Sequence, residues 1–351
     1  MKIYLSNLLH LPALLQLFAA NAKRQKQFIR ETVAIDIEES KVNIDDSLNE
    51  NDFRKITNYY GFAVPAILGE GFCLLRGKGM TKQERHAMTY LGALTGLFDD
   101  FFDEKEIPEQ HIKRLIEFPE KEIAKNANER LFVNFYLKAL ENAANAESVK
   151  SYFMKVFDAQ VLSRRQMLTT ITKDEIREIT LQKGGISILF YRSIFSEPAG
   201  VWEQKMLYLL GGIGQLENDI FDVYKDFQGG INTLATTTAT IAELHNIYRS
   251  IMHEIFTLVN KTGFPAKNRK KFLRYIALII SRGLVCLDFL EKNEKTTNNF
   301  FSLKDYEKKD LVCNMDSLKN NLKLLLNYAK CNLSSTKASF PSVNHSDSIL
   351  A

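Results

Sequence analysis

The sequence predicts an all-α fold, a single large helical bundle of about ten helices around a central apolar pocket. Three observations predict it. Apolar residues recur at three-and-four spacing along most of the 351 residues. Strand signals are nearly absent: there is no Asn-Gly hairpin and no sustained alternation. Only 7 prolines interrupt the pattern, several of them at segment ends (Pro108, Pro198, Pro265), so the helices can be long.

At the start, Met1 and Lys2 precede an apolar run over residues 8–20 that ends in Ala20-Asn21-Ala22 and faintly resembles a signal peptide. His10, Pro12 and Gln16 interrupt that run, whereas Leu11, Leu14, Leu15 and Phe18 fit helical spacing. A first helix is therefore expected, with Pro12 tolerated if it falls in the first turn. Further helical segments are expected over 52–76, 81–104, 109–117, 120–145, 147–171, 173–196, 199–227, 235–262, 266–293 and 302–331. The clearest stripe is Met206, Leu209, Leu210, Ile213, Leu216 and Ile220. Residues 332–351 are rich in Ser, Asn and Thr and read as a loose polar tail. With no repeat and no central linker, residues 1–331 read as one domain.

Bulk composition excludes several classes. Hydrophobic residues make up 45% and charged residues 25%, enough for a large core. The formal net charge of +4, from 46 basic and 42 acidic residues, is too balanced to argue for nucleic acid. No stretch approaches the roughly 18 apolar residues of a membrane span. The 4 cysteines (Cys73, Cys286, Cys313, Cys331) lack paired spacing and read as reduced thiols, and the 6 histidines show no ligand spacing. A cytoplasmic location is expected, and a homodimer is left open.

Two acidic clusters carry most of the functional information. The first is Asp99-Asp100-Phe101-Phe102-Asp103-Glu104, at the end of the small and apolar run over residues 90–98. On a helix Asp99, Asp100 and Asp103 fall at about 0°, 100° and 40°, on one face. The second runs from Asn218 to Asp226, where Asn218, Asp222 and Asp226 fall at about 0°, 40° and 80°, and Asp219 at about 100°. Carboxylates this close repel one another, which favours solvent or a bound cation. Hard oxygen donors of this kind suit magnesium. Each cluster alone also reads as a solvated helix face, the first extended by Glu104 to Glu106, the second paired with Lys225.

Asp-Asp-x-x-Asp followed by Asn-Asp-x-x-Asp-x-x-x-Asp resembles the class I terpenoid synthase superfamily. The resemblance covers the motifs and the helical layout of about residues 50–330. It implies that Asp99, Asp100 and Asp103 form the first magnesium motif. It implies that Asn218, Asp222 and Asp226 form the second, with Asp226 where Glu is usual, and that Mg2+ is held as three ions. Asp219 joins the expected metal set. The stretch from Gln215 to Gly230 also looks like the second motif of squalene and phytoene synthases. Asp222 to Asp226 with Gln228-Gly229-Gly230 looks like bacterial large-terpene synthases. Asp103 is followed by Glu-Lys-Glu-Ile-Pro rather than an Arg-Arg pair, which argues against simple chain elongation.

A diphosphate needs further cations, and Lys183, Arg177 and Lys225 are the expected ones, with Arg192 a further candidate. Gly184-Gly185, after Lys183, suggests either a kink or close approach that exposes backbone oxygens to a cationic intermediate, or plain helix packing, each glycine weakening a helix by roughly 1 kcal/mol. Gly211, Gly212 and Gly214 could leave room for an isoprenoid chain or allow close helix contact. Phe98, Phe101, Phe102, Phe190, Tyr191, Phe195 and Tyr224 are core residues by default and cation-stabilising faces if they line a pocket. The implied reaction is magnesium-dependent ionisation of a linear prenyl diphosphate, then carbocation cyclisation with release of diphosphate. The alternatives are head-to-head coupling of two prenyl diphosphates and, outside enzymes, a helical interaction protein with solvent-facing acidic stripes.

Overall fold

A computed structural model describes residues 2–103 and 107–333. Their regular structure is helical, with no strand among the described residues. The helices are α1 (Lys2–Glu31), α2 (Val33–Ser40), α3 (Glu50–Arg54), α4 (Gly61–Ala63), α5 (Glu70–Arg76), α6 (Lys82–Asp103), α7 (Glu109–Glu117), α8 (Ala127–Asn142) and α9 (Ala146–Ser163). They continue with α10 (Lys173–Arg192), α11 (Val201–Phe221), α12 (Val223–Gln228), α13 (Leu234–Thr237), α14 (Ile241–Lys261), α15 (Ala266–Glu294), α16 (Lys308–Leu311) and α17 (Leu318–Lys330). Residues 334–351, most of the expected tail, lie outside the described residues.

The chain divides into two compact units. The amino-terminal unit comprises Ala13–Gln160 and Leu189–Ala199, and the carboxy-terminal unit Met1–Pro12, Val161–Ile188 and Gly200–Ala351. Each builds its own helical core.

In the amino-terminal unit α6 packs on α8, and aromatic rings fill the space. Phe98 lies 5.0 Å from Phe153, Phe101 5.0 Å from Phe132, and Phe153 4.7 Å from Phe190, ring centre to ring centre. The first two pairs meet edge-on and the third is tilted; edge-on contacts add to the gain from burying the rings. Phe98, Phe101, Phe190 and Phe195 are therefore core residues, the default expectation for each. The expected helix over 52–76 is interrupted. Lys55–Tyr60 and Val64–Gly69 are π-helical turns, wider than α-helix, and the first lies against α6. Gly92 and Gly96 allow this approach. A Cβ at Gly92 would stand 2.7 Å from the Tyr60 carbonyl oxygen, and one at Gly96 3.2 Å from the Tyr60 ring.

In the carboxy-terminal unit α11 packs on α14 and α15, and α15 on α17. Met206, Leu209, Leu210, Ile213, Leu216 and Ile220 are all buried, as their periodicity predicts. α10 and α11 cross with their backbones in contact. A Cβ on Gly184 would run into the Gly211 carbonyl, one on Gly211 into that of Gly184, and one on Gly185 into the Tyr208 ring. α10 stays helical through Gly184-Gly185, and the two glycines serve the packing of α10 on α11. Gly214 is exposed, with open space around it.

Several boundaries differ from expectation. α1 is far longer than its apolar signal and carries Pro12 in its interior rather than in the first turn. Residues 120–126 are not helical, because the chain turns before Asn126 caps α8. The expected helix over 302–331 reduces to α16 and α17 with short turns between.

The α10–α11 crossing yields a stability prediction. Gly184→Ala or Gly211→Ala forces the two backbones apart and should destabilise the protein by roughly 1–3 kcal/mol or more, read as a lower urea midpoint.

Candidate functional site

The first acidic cluster belongs to the amino-terminal unit. Asp99 is half-buried and Asp100 is buried at the end of α6. Burial of a carboxylate at the edge of an apolar helix requires compensation, and the π-helical turn provides it. Lys55 Nζ donates to Asp100 Oδ1 at 2.9 Å and lies 3.5 Å from Asp52 Oδ1. The other oxygen of Asp52 accepts the Asn49 backbone N–H at 3.0 Å, in the capping box that starts α3. Asn49, Asp52, Lys55 and Asp100 thus form one connected polar chain. The Tyr60 hydroxyl donates to Asp99 Oδ2 at 3.2 Å. Burial, and next the Asp99 charge, push the Tyr60 phenol well above its ordinary value, so it remains a donor. Tyr191, also pushed up by burial, shares a 2.6 Å hydrogen bond with Thr95 one turn before Asp99. Asp103 closes α6. Its side chain and Glu104 to Glu106 lie outside the described residues.

The second cluster belongs to the carboxy-terminal unit. α11 ends at Phe221, and Asp222 takes φ −94° and ψ 10° before α12 resumes. The helical repeat survives this break. Asp222 N–H donates to the Asn218 carbonyl at 2.8 Å, and Asp226 N–H to that of Asp222 at 2.9 Å. Asn218, Asp222 and Asp226 therefore succeed one another turn by turn, the first two exposed and the third half-buried. Gly230, at φ +67°, closes α12 in a Schellman motif: Ile231 N–H reaches the Asp226 carbonyl at 2.9 Å, and Gly230 N–H that of Phe227 at 3.2 Å. Gly230 of the Gln228-Gly229-Gly230 run is thus explained by helix termination.

Asp219 departs from that line. It is buried, accepting from the Gln215 amide at 2.8 Å and from the Thr180 hydroxyl at 3.3 Å. Burial, aided by the Asp226 charge and opposed by Lys183 and these hydrogen bonds, pushes its carboxyl up to about 7. Burial and the neighbouring Asp222 push Asp226 up to about 6, against the pull of Lys225 and Lys183. Lys183 and Lys225 are thus both close enough to act on the cluster. Arg177 lies close enough to Glu254 of α14 to lower the proton affinity of that carboxyl, against the effect of burial.

Among the described residues no three His, Cys, Asp or Glu side chains converge as a ready-made metal cage. The donor chemistry of the second cluster nevertheless fits a hard divalent cation: an exposed amide and carboxylate one turn apart, then a carboxyl whose proton affinity is raised by burial and next by the Asp222 charge. A bound cation would offset both the burial and the repulsion. The first cluster fits less freely, because Lys55 already neutralises Asp100. No protein-family model and no curated protein matches this chain.

Sequence reasoning missed Lys55, Tyr60 and Thr180. They lie 39 to 45 residues from the acids they meet, and only tertiary contact joins them. Lys55 gives no signal of its own in sequence, because it stands among the polar residues Asp52, Arg54, Thr57 and Asn58.

Two predictions follow from these environments. Lys55→Met leaves Asp52 and Asp100 buried without their cation and should destabilise by roughly 2–4 kcal/mol; adding Asp100→Asn should restore part of this in a denaturant double-mutant cycle. The folded protein holds the Asp219 proton more tightly than the unfolded chain, whose value is near 3.8. Stability therefore falls as pH rises from about 4 to about 7 and is level above. Asp219→Asn should flatten that slope and be more stable than wild type at about pH 8 by on the order of 1–3 kcal/mol, measured by urea unfolding across pH.

Proposed function

We propose that this protein is a class I terpene synthase, which ionises a linear prenyl diphosphate with magnesium and cyclises the resulting carbocation with release of diphosphate. The observation that carries the reading is the turn-by-turn succession of Asn218, Asp222 and Asp226, continued across a helix break, with Lys183 and Lys225 acting on the same acids. A surface stripe stabilised by intrahelical pairs needs neither the break nor a lysine from a second helix.

Magnesium, when bound, supplies Lewis-acid stabilisation of the departing diphosphate. In the carboxy-terminal unit Asn218, Asp222 and Asp226 are the oxygen donors that would hold it; in the amino-terminal unit the donor of the first cluster is Asp99. Lys183 and Lys225 place positive charge for the diphosphate oxygens, where it counts most as negative charge develops. Lys55 fixes Asp100, and Tyr60, held protonated, orients Asp99. Asp219, buried and hydrogen-bonded, supports the cluster from beneath. No general-base histidine is required.

Incubation with prenyl diphosphates of increasing length and magnesium, followed by extraction and mass spectrometry, tests the reading. A cyclic hydrocarbon or alcohol is expected; a linear product of doubled carbon number identifies head-to-head coupling instead. Asp99→Ala and Asn218→Ala should each lower turnover by about 100-fold or more while the helical circular dichroism is kept. Full turnover in both variants removes the site assignment. Absence of any thermal shift with magnesium and pyrophosphate leaves the helical interaction protein as the reading.

A further inference from the structure

One end of the carboxy-terminal unit carries a concentration of positive charge that neither the fold nor the proposed reaction uses. Between Ile255 and Leu287 the chain has 7 basic residues and no acidic one, within a protein whose net charge is only +4. Most of that charge sits at the turn from α14 into α15. Lys261 ends α14, and Lys267, Lys270 and Lys271 stand exposed on the first turns of α15. α15 has no acid in its first turn. Basic side chains there add to the positive end of the helix dipole, an arrangement that weakens the helix and favours an anionic neighbour.

Apolar groups accompany the charge. Val201 is 64% exposed and Trp202, the chain's single tryptophan, 44% exposed at the start of α11. The Lys261 ammonium lies 4.7 Å from the centre of the Trp202 ring and that of Lys205 5.9 Å, so α11 and the α14–α15 turn share this end. Pro265 and Gly263 in the turn are also exposed. The nearest acids along these helices, Glu203 and Glu254, are buried and half-buried.

We propose that this end is a docking surface for an anionic phospholipid bilayer, with Val201 and Trp202 entering the headgroup layer and Lys261, Lys267, Lys270 and Lys271 meeting the lipid phosphates. Three features favour a bilayer over a nucleic acid. The exposed cations are lysines, point charges suited to headgroups of no fixed geometry. The guanidinium at the turn, Arg269, is engaged internally, donating to the Asn260 and Thr262 carbonyls at 2.6 and 3.1 Å. The exposed aromatic is flanked by an exposed aliphatic residue, the pairing of an interfacial anchor rather than of a base-stacking platform. The surface needs no spanning segment: no helix among the described residues is long and apolar enough to cross a membrane.

Trp202, being the only tryptophan, reports on the surface directly. The full-length protein, mixed with phosphatidylcholine vesicles containing about 30% phosphatidylserine in roughly 0.1 M salt, should pellet with them, and its emission should shift to the blue. Pure phosphatidylcholine vesicles, or salt raised to about 0.5 M, should abolish both effects. The triple change Lys267→Glu, Lys270→Glu, Lys271→Glu should weaken binding by roughly tenfold or more, and its neutral counterpart with Gln by less, both with wild-type circular dichroism. Val201→Asp should reduce the blue shift. Three results overturn the proposal: no pelleting with anionic vesicles at low salt, pelleting undiminished in both triple variants, or a Trp202 shift with a single-stranded oligonucleotide but none with vesicles.

Discussion

Taking a carboxylate out of water is expensive unless a cation or hydrogen-bond donors replace the water. Both acidic segments of this chain are arranged around that constraint. α6 and α11 are built to be buried, and each ends in acids that cannot all reach solvent. The amino-terminal unit answers with a protein cation: Lys55 bridges Asp52 and Asp100, and Tyr60 donates to Asp99. The carboxy-terminal unit divides its acids. Asn218 and Asp222 remain in solvent, while Asp219 goes inside against Gln215 and Thr180 with its proton affinity raised.

Glycine makes both answers sterically possible. Gly92 and Gly96 let the wide π-helical turn press onto α6, which sets Tyr60 and Lys55 over the acids. Gly184 and Gly211 let α10 and α11 touch along their backbones, and Lys183 immediately precedes the contact. Close approach through small residues shortens the reach a lysine must make. The electrostatics of each cluster is thus set by a contact between backbones.

Periodicity carried the fold because α-helices declare their buried face in sequence. The stripe on α11 is buried residue for residue, and α7 begins and ends where its pattern does. The signal failed where polar residues face inward. The later part of α1 was missed because one of its anchors is Gln25, buried and bonded to the Gly61 carbonyl and the Thr89 hydroxyl, which no hydrophobic count registers. The π-helical turns were missed because they arise from contact with α6. Within the site, the acids and Lys183 were legible as motifs. Asp219 was grouped with the others because about 100° of helical rotation still reads as one broad face; against a densely packed neighbour, that angle is the difference between solvent and core.

The two clusters are therefore unequal as cation sites. A divalent ion approaching Asp100 must compete with an ammonium already at hydrogen-bond distance, so part of its attraction is cancelled before it binds. An ion approaching Asp222 and Asp226 meets acids that repel each other, and binding removes that repulsion as well as adding its own attraction. In the proposed reaction the second cluster then supplies the stronger grip on the metal. The first contributes Asp99 and a permanently protonated tyrosine, a more selective pair that holds its geometry whether or not an ion is near.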